Sequence, residues 1–122
     1  MARRSLNAQQ TDFARDFALL ILFAIGKGFT VQVAEVRRTQ IVQDDYLRRG
    51  LTTVKNSLHM DSLAGDIQFF KGGVYINGLE RMESKRQLQE IGDFWESLDR
   101  QNAWGGNWKT FIDTPHFERK RE

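Results

Sequence analysis

A strand with an aspartate in its middle constrains this chain more than any other stretch. Leu63-Ala64-Gly65-Asp66-Ile67-Gln68-Phe69-Phe70 reads as a strand, Lys71-Gly72-Gly73 as a tight turn, and Val74-Tyr75-Ile76 as the returning partner. The chain is therefore expected to contain an antiparallel hairpin. Inside that apolar run Asp66 is out of place, because an unpaired buried carboxylate is costly. A metal ion removes the cost. A capping role or an arginine partner would remove it too.

The rest of the chain alternates between helix and strand in segregated runs. Phe13, Phe17, Leu20, Ile21 and Ala24 recur at helical spacing and predict a helix from about Asn7 to Lys27. Leu19, Leu22 and Phe23 widen its apolar face and predict burial on more than one side. Gly26 and Gly28 supply the stop. Thr30 to Val36 alternates and is rich in β-branched residues, so it predicts a strand. A second helix is expected from Thr39 or Gln40 to Arg49, with Ile41, Tyr46 and Leu47 partly inward, ending at Gly50. Leu51 to Asn56 reads as a polar loop. Leu88, Ile91, Phe94, Trp95 and Leu98 predict a third helix from about Ser84 to Arg100. Gln101 to Trp108 reads as a loop and Phe111 to Glu118 as a short final segment. The fold class is α+β, with a small antiparallel sheet packed with helices. At 122 residues the whole chain, 1–122, is expected to form one domain.

The chain has two histidines and no cysteine, so any bound metal must use imidazole and carboxylate. Each histidine has acidic residues nearby: His59 precedes Asp66 by seven positions, and Asp113 precedes His116 by three. A catalytic zinc takes three protein ligands and leaves one position open, and an acidic group outside the ligand set takes a proton from water. His59, Asp66 and His116 can supply the ligands and Asp113 the base. The His59–Asp66 spacing matches no helical zinc pattern such as H-E-x-x-H; it fits a loop running into a strand. On residues alone, Asp113 is better explained as a turn former in Asp-Thr-Pro.

Ser57-x-His59 with Asp66 resembles the S-x-H-x-x-G-x-A-x-D signature of the M15 family of zinc peptidases. Trp104-Gly105-Gly106-Asn107-Trp108 followed by Asp113-Thr114-Pro115-His116-Phe117-Glu118 is similar to the W-G-G-x-W…D-x-P-H-F-E ending of that family's phage endolysin branch. Arg38, Thr39, Gln43 and Gly50 fall at the positions of a further family segment, Y-R-[ST]…Q-x-x-L-Y-x-x-G. There Arg37 replaces the usual aromatic and Tyr46-Leu47 inverts the leucine–aromatic pair. The resemblance implies the fold shared by D-alanyl-D-alanine peptidases and the Hedgehog signalling domain. It also implies Zn2+ held by His59, Asp66 and His116, with Asp113 passing a proton from water to the leaving amine. Arg38 would assist the carbonyl oxygen or oxyanion, and Ser57 would hydrogen-bond the peptide. Trp104 and Trp108, beside Gly105 and Gly106, are the candidates to line the substrate cleft. Ser62 stands where the signature has glycine. If the position needs a positive φ, serine adopts it at some cost.

The implied partner is the peptidoglycan stem peptide, cut at the L-alanyl-D-glutamate bond. The alternatives are a D-alanyl-D-alanine carboxypeptidase or dipeptidase, or a relative that only binds wall peptide. A net charge of +2 is too small to call for nucleic acid. The apolar run Phe17–Ile25 is too short to span a bilayer and lacks the layout of a signal peptide. A monomer is expected, made in the host cytoplasm without an export signal and acting on the cell wall after release.

Overall fold

The computed structural model describes residues 4–51, 57–78 and 82–122. Among these residues the chain forms three helices and five strands: α1 (Leu6–Gly26), β1 (Thr30–Glu35), α2 (Gln40–Arg48), β2 (Ala64–Lys71), β3 (Val74–Ile76), α3 (Met82–Leu98), β4 (Asn102–Trp104) and β5 (His116–Arg119). Two single 3-10 turns, Leu58–Asp61 and Gly105–Asn107, lie beside β2 and after β4. The expected α+β class and antiparallel sheet are what the chain adopts. Residues 52–56 of the expected polar loop lie outside the described residues.

The sheet runs β1-β2-β5-β4, all pairs antiparallel. β5 pairs with the first half of β2, Ala64 to Asp66, and β3 with its last three residues, Phe69 to Lys71. β2 thus pairs with β1, β3 and β5, and β4 joins the sheet through β5. The alternation of β2 separates two faces. Gly65, Ile67 and Phe69 are buried with the helices, whereas Asp66 and Gln68, on the other side, are only partly buried. A Cβ on Gly65 would lie 2.5 Å from the Phe17 ring, so glycine lets β2 approach α1 this closely. Asp66 is thereby turned away from the core.

Ser5 caps α1, its hydroxyl accepting from the Ala8 N–H at 3.1 Å. The helix buries Phe13, Phe17, Leu20 and Ala24. Burial on more than one side does not occur: Leu19, Ile25 and Leu22 (65% accessible) face outward. Phe23 is half-buried and stacks on Phe94 of α3, ring centroids 4.1 Å apart. The sheet and α3 cover only part of the helix, so Leu19, Leu22 and Ile25 stay exposed. Ile41 of α2 is likewise 82% accessible, and the residue buried in its place is Gln43.

Trp95 of α3 joins the helices to the strands. Its ring meets Phe13 and Phe117 edge-on at 5.7 and 5.9 Å, and its Nε1 donates to the carbonyls of Ala103 and Glu118. The expected loop after α3 contains a strand, because Asn102, Ala103 and Trp104 pair with Arg119, Glu118 and Phe117. Trp104 is sunk between Gly92 of α3 and Gly106; a Cβ on either would lie 2.0 or 2.2 Å from its ring. Gly92→Ala is expected to destabilise the protein. Alanine favours the helix by about 1 kcal/mol, but overpacking costs about 1–3 kcal/mol. Thermal unfolding checks this, and an unchanged or higher Tm would mean that Trp104 can move aside.

Candidate active site

The face of the sheet turned away from the helices gathers the polar chemistry. Asp66 on β2 stands directly opposite His116 on β5, so both side chains rise from the same face. His59 arrives from the 3-10 turn before β2. Ser57 caps that turn, its hydroxyl accepting from the His59 N–H at 3.2 Å. The turn closes on Ser62 in the left-handed region (φ 55°, ψ 38°), with Leu63 N–H donating to the Leu58 carbonyl at 3.0 Å. The position where the family signature carries glycine does take a positive φ here, and serine accepts it.

Three donor atoms converge. His59 Nε2 lies 3.4 Å and His116 Nδ1 3.3 Å from the same oxygen, Asp66 Oδ1. One ligand atom from each residue lies within 4.8 Å of the others, the only such grouping among the described residues. The outer ring nitrogens are also held. His59 Nδ1 lies 3.1 Å from the Val36 carbonyl, which can only accept, so Nδ1 carries a proton and Nε2 is left to face Asp66. His116 Nε2 lies 2.8 Å from Glu118 Oε1, leaving Nδ1 facing Asp66. This is the outer-shell arrangement that orients imidazole ligands at metal centres. Two buried imidazoles and a carboxylate, each aimed at one point, fit a zinc-type ion.

These groups also lean on each other. Burial works to raise the Asp66 carboxyl, but hydrogen bonds from His116 and His59 outweigh it and hold it at about 2. Burial works to lower His116, yet its bonds to Asp66 and Glu118 prevail and raise it to about 9.

The triad opens into a cavity of about 450 Å³ that Arg38, Ser57, Trp108, Asp113 and Glu118 also line. Asp113 reaches it from a backbone turn, with His116 N–H donating to the Asp113 carbonyl at 3.1 Å and Asp113 N–H to the Gly105 carbonyl at 3.0 Å. The turn-forming role and the place in the cavity thus belong to the same residue. Burial and the nearby Asp66 charge raise the Asp113 carboxyl against the pull of both histidines. The Trp108 ring stands 4.9 Å from that of His116 and forms a wall. Arg38 rather than Arg37 faces the cavity; Arg37 is exposed.

Trp104 is placed otherwise than its sequence position suggested. Its indole is buried against Phe117, its Nε1 donates to the Thr114 carbonyl at 2.8 Å, and it borders a different cavity, beside Leu88. Phe111, between the Trp108 wall and Asp113 in sequence, is 84% accessible. Two carboxylates were given no role by sequence. Glu118 lies two residues beyond His116 on a strand, and period-two alternation alone puts both on one face. Glu35 stands opposite Asp66 across β1 and β2, which only the pairing reveals.

Residues 51–119, more than half of the chain, match the model of the M15 peptidase family described as D-alanyl-D-alanine carboxypeptidase. The chain belongs to that family. No match was found among curated proteins. Among solved structures, this M15 peptidase is similar to the L-Ala D-Glu endopeptidase ChiX of Serratia marcescens. The TM-score is 0.70 at 23% identity, over 90% of this chain and 79% of that one. At that identity the likeness establishes a shared fold. No helix among the described residues is long and apolar enough to cross a membrane.

Proposed function

We propose that this chain is a zinc-dependent peptidoglycan hydrolase that cuts the stem peptide between L-alanine and D-glutamate, in the manner of a phage endolysin. The observation that carries it is the convergence of His59 Nε2, Asp66 Oδ1 and His116 Nδ1 in a cavity that also holds Asp113 and Arg38. The cut at L-alanyl-D-glutamate is supported by the endolysin-type ending of the sequence and the shared fold with an endopeptidase of that bond.

His59, Asp66 and His116 would hold the ion, with Val36 and Glu118 fixing the two imidazoles from behind. Bound there, zinc would supply Lewis acidity for the amide carbonyl and for a nucleophilic water at neutral pH. The chain's own groups do the rest. Asp113, whose carboxyl burial raises above the ordinary aspartate value, takes the proton from the attacking water and returns it to the leaving amine nitrogen. Arg38 offers N–H groups to the carbonyl oxygen as charge develops on it. Ser57 and Trp108 bound the space for the peptide. The protein would act as a monomer on the cell wall after release from the host cytoplasm.

A second reading is removal of terminal D-alanine, favoured by the description of the matching family. Mass spectrometry of digested peptidoglycan separates the two. New L-alanine C-termini paired with D-glutamate N-termini are expected; free D-alanine instead would move the chain to the carboxypeptidase reading.

Metal uptake should be proton-linked. Between Asp66 and Glu118, His116 is raised to about 9 against the effect of burial, so below that pH it carries a proton that a metal must displace. Zinc affinity is expected to rise about tenfold per pH unit from neutrality towards pH 9, one proton being released per ion. Competition with a chelator of known affinity checks the slope. A flat profile would mean that His116 is not a ligand.

A further inference from the structure

Glu35 belongs to β1, outside every motif that resembles the family, yet it stands beside the site. β1 and β2 pair Val33 with Ile67 and then Glu35 with Asp66, so Ala34 is an extra residue and the strand bulges there. Regular pairing would set Ala34 against Asp66 and turn Glu35 to the opposite face. The bulge re-aims it. Glu35, Asp66 and His116 thereby form one row across three strands.

Once there, Glu35 holds Arg38. Its Oε1 accepts from Arg38 Nε at 2.7 Å and also from Nη2. Its Oε2 accepts from the Tyr46 hydroxyl at 3.3 Å, and the Tyr46 ring lies under the guanidinium, 4.7 Å from centroid to Cζ. Buried Gln43 accepts from Nη1 at 2.8 Å. A guanidinium has five N–H groups, and three are used in this cradle. Among the described residues, one on each terminal nitrogen is left without a partner, on a side chain that lines the cavity. Glu35 Oε1 also stands 3.9 Å from His59 Nδ1.

We infer that Glu35 is a positioning residue, presented by the β1 bulge, which fixes Arg38 so that its two remaining N–H groups meet the oxyanion of the substrate. A free arginine would have to be ordered during the reaction, whereas a cradled one is already in place. The inference rests on the role proposed above for Arg38.

The test is a double-mutant cycle on the zinc-loaded protein with Glu35→Ala, Arg38→Ala and their combination, beside Glu35→Gln. Glu35→Ala should lower kcat about 10- to 100-fold with KM changed by less than about threefold. Glu35→Gln, whose amide oxygen still accepts from Nε, should recover much of the loss. The double variant should be no slower than Arg38→Ala alone. A readout independent of turnover is the NMR signal of Arg38 Nε–H, assigned by its loss in Arg38→Ala. It should exchange slowly with solvent in the wild type and in Glu35→Gln, and rapidly in Glu35→Ala. Additive losses in the cycle, or fast exchange of Nε–H in the wild type, would overturn the inference. Full activity of Arg38→Ala would instead remove the role of Arg38 itself.

Discussion

Replacing Asp113 by alanine is expected to leave a folded chain that still takes up zinc and hydrolyses its substrate about 10²- to 10⁴-fold more slowly. The fold should survive because the turn from Asp113 to His116 is closed by backbone groups, the Asp113 carbonyl and the His116 N–H. Metal uptake should survive because Asp113 lies outside the cluster of His59, Asp66 and His116. What is lost is a carboxylate whose affinity for protons is raised, first by burial and then by Asp66. Such a base is stronger than an exposed aspartate. The same shift sets the acid limb of the pH–rate profile, which should fall as pH drops through a value above the ordinary 3.8 of aspartate. Steady-state kinetics beside a zinc assay checks both parts. Unchanged activity would remove Asp113 as the base, and lost zinc would make it a ligand.

The second large effect lies on the other face of β5. Arg119 alternates with His116 and Glu118 and points into the helices, where it is 1% accessible. It pairs with Asp99 at 2.7 Å and Glu122 at 2.9 Å, and stands 3.9 Å from Asp12, which in turn pairs with Arg4. The end of the chain is thereby tied to α1 and to the residue just past α3. Removing one partner of a buried ion pair strands the other charges, at a cost of about 3–5 kcal/mol. Arg119→Ala is therefore expected to lose that much of a total of about 5–15 kcal/mol for an ordinary domain. Urea unfolding at neutral pH measures it, and a loss below about 1 kcal/mol would show the network to be poorly coupled.

The pH dependence of that loss follows from Asp99. Burial works to raise its carboxyl, but the Gln101 N–H and Arg119 outweigh it and hold it below 3.8. A folded-state value below the unfolded one stabilises above pH 3.8 and is lost as pH falls through the folded value. The gap between wild type and Arg119→Ala should accordingly narrow in acid.

Local pattern made the elements with strong periodicity legible: α1, α3 and the β2–β3 hairpin stand within a few residues of their expected bounds. The same holds for the chemistry that rests on residue type. With two histidines and no cysteine, His59, His116 and the misplaced Asp66 had few alternatives, and the chain brings all three together. What stayed hidden depends on pairing between distant segments. β4 is three residues long and exists through β5, some fifteen positions away. The bulge at Ala34 is defined by β2, so the place of Glu35 could not be read from β1 alone. Trp104 sits beside two glycines in sequence, which suggested an open cleft. A third glycine, Gly92 of α3, receives the Trp104 ring and makes the site a core position. Leu22 and Ile41 show the converse limit, since apolar character is no guarantee that a surface exists to cover it.

The most direct measurement of the central claim is zinc stoichiometry and wall hydrolysis on one preparation, before and after chelation, for wild type and for His116→Ala. One ion per chain is predicted in the wild type, with hydrolysis lost on chelation and restored by zinc. In His116→Ala both binding and hydrolysis should be lost. Hydrolysis that survives chelation, or full zinc binding without His116, would contradict a metal-dependent peptidase built on these three residues.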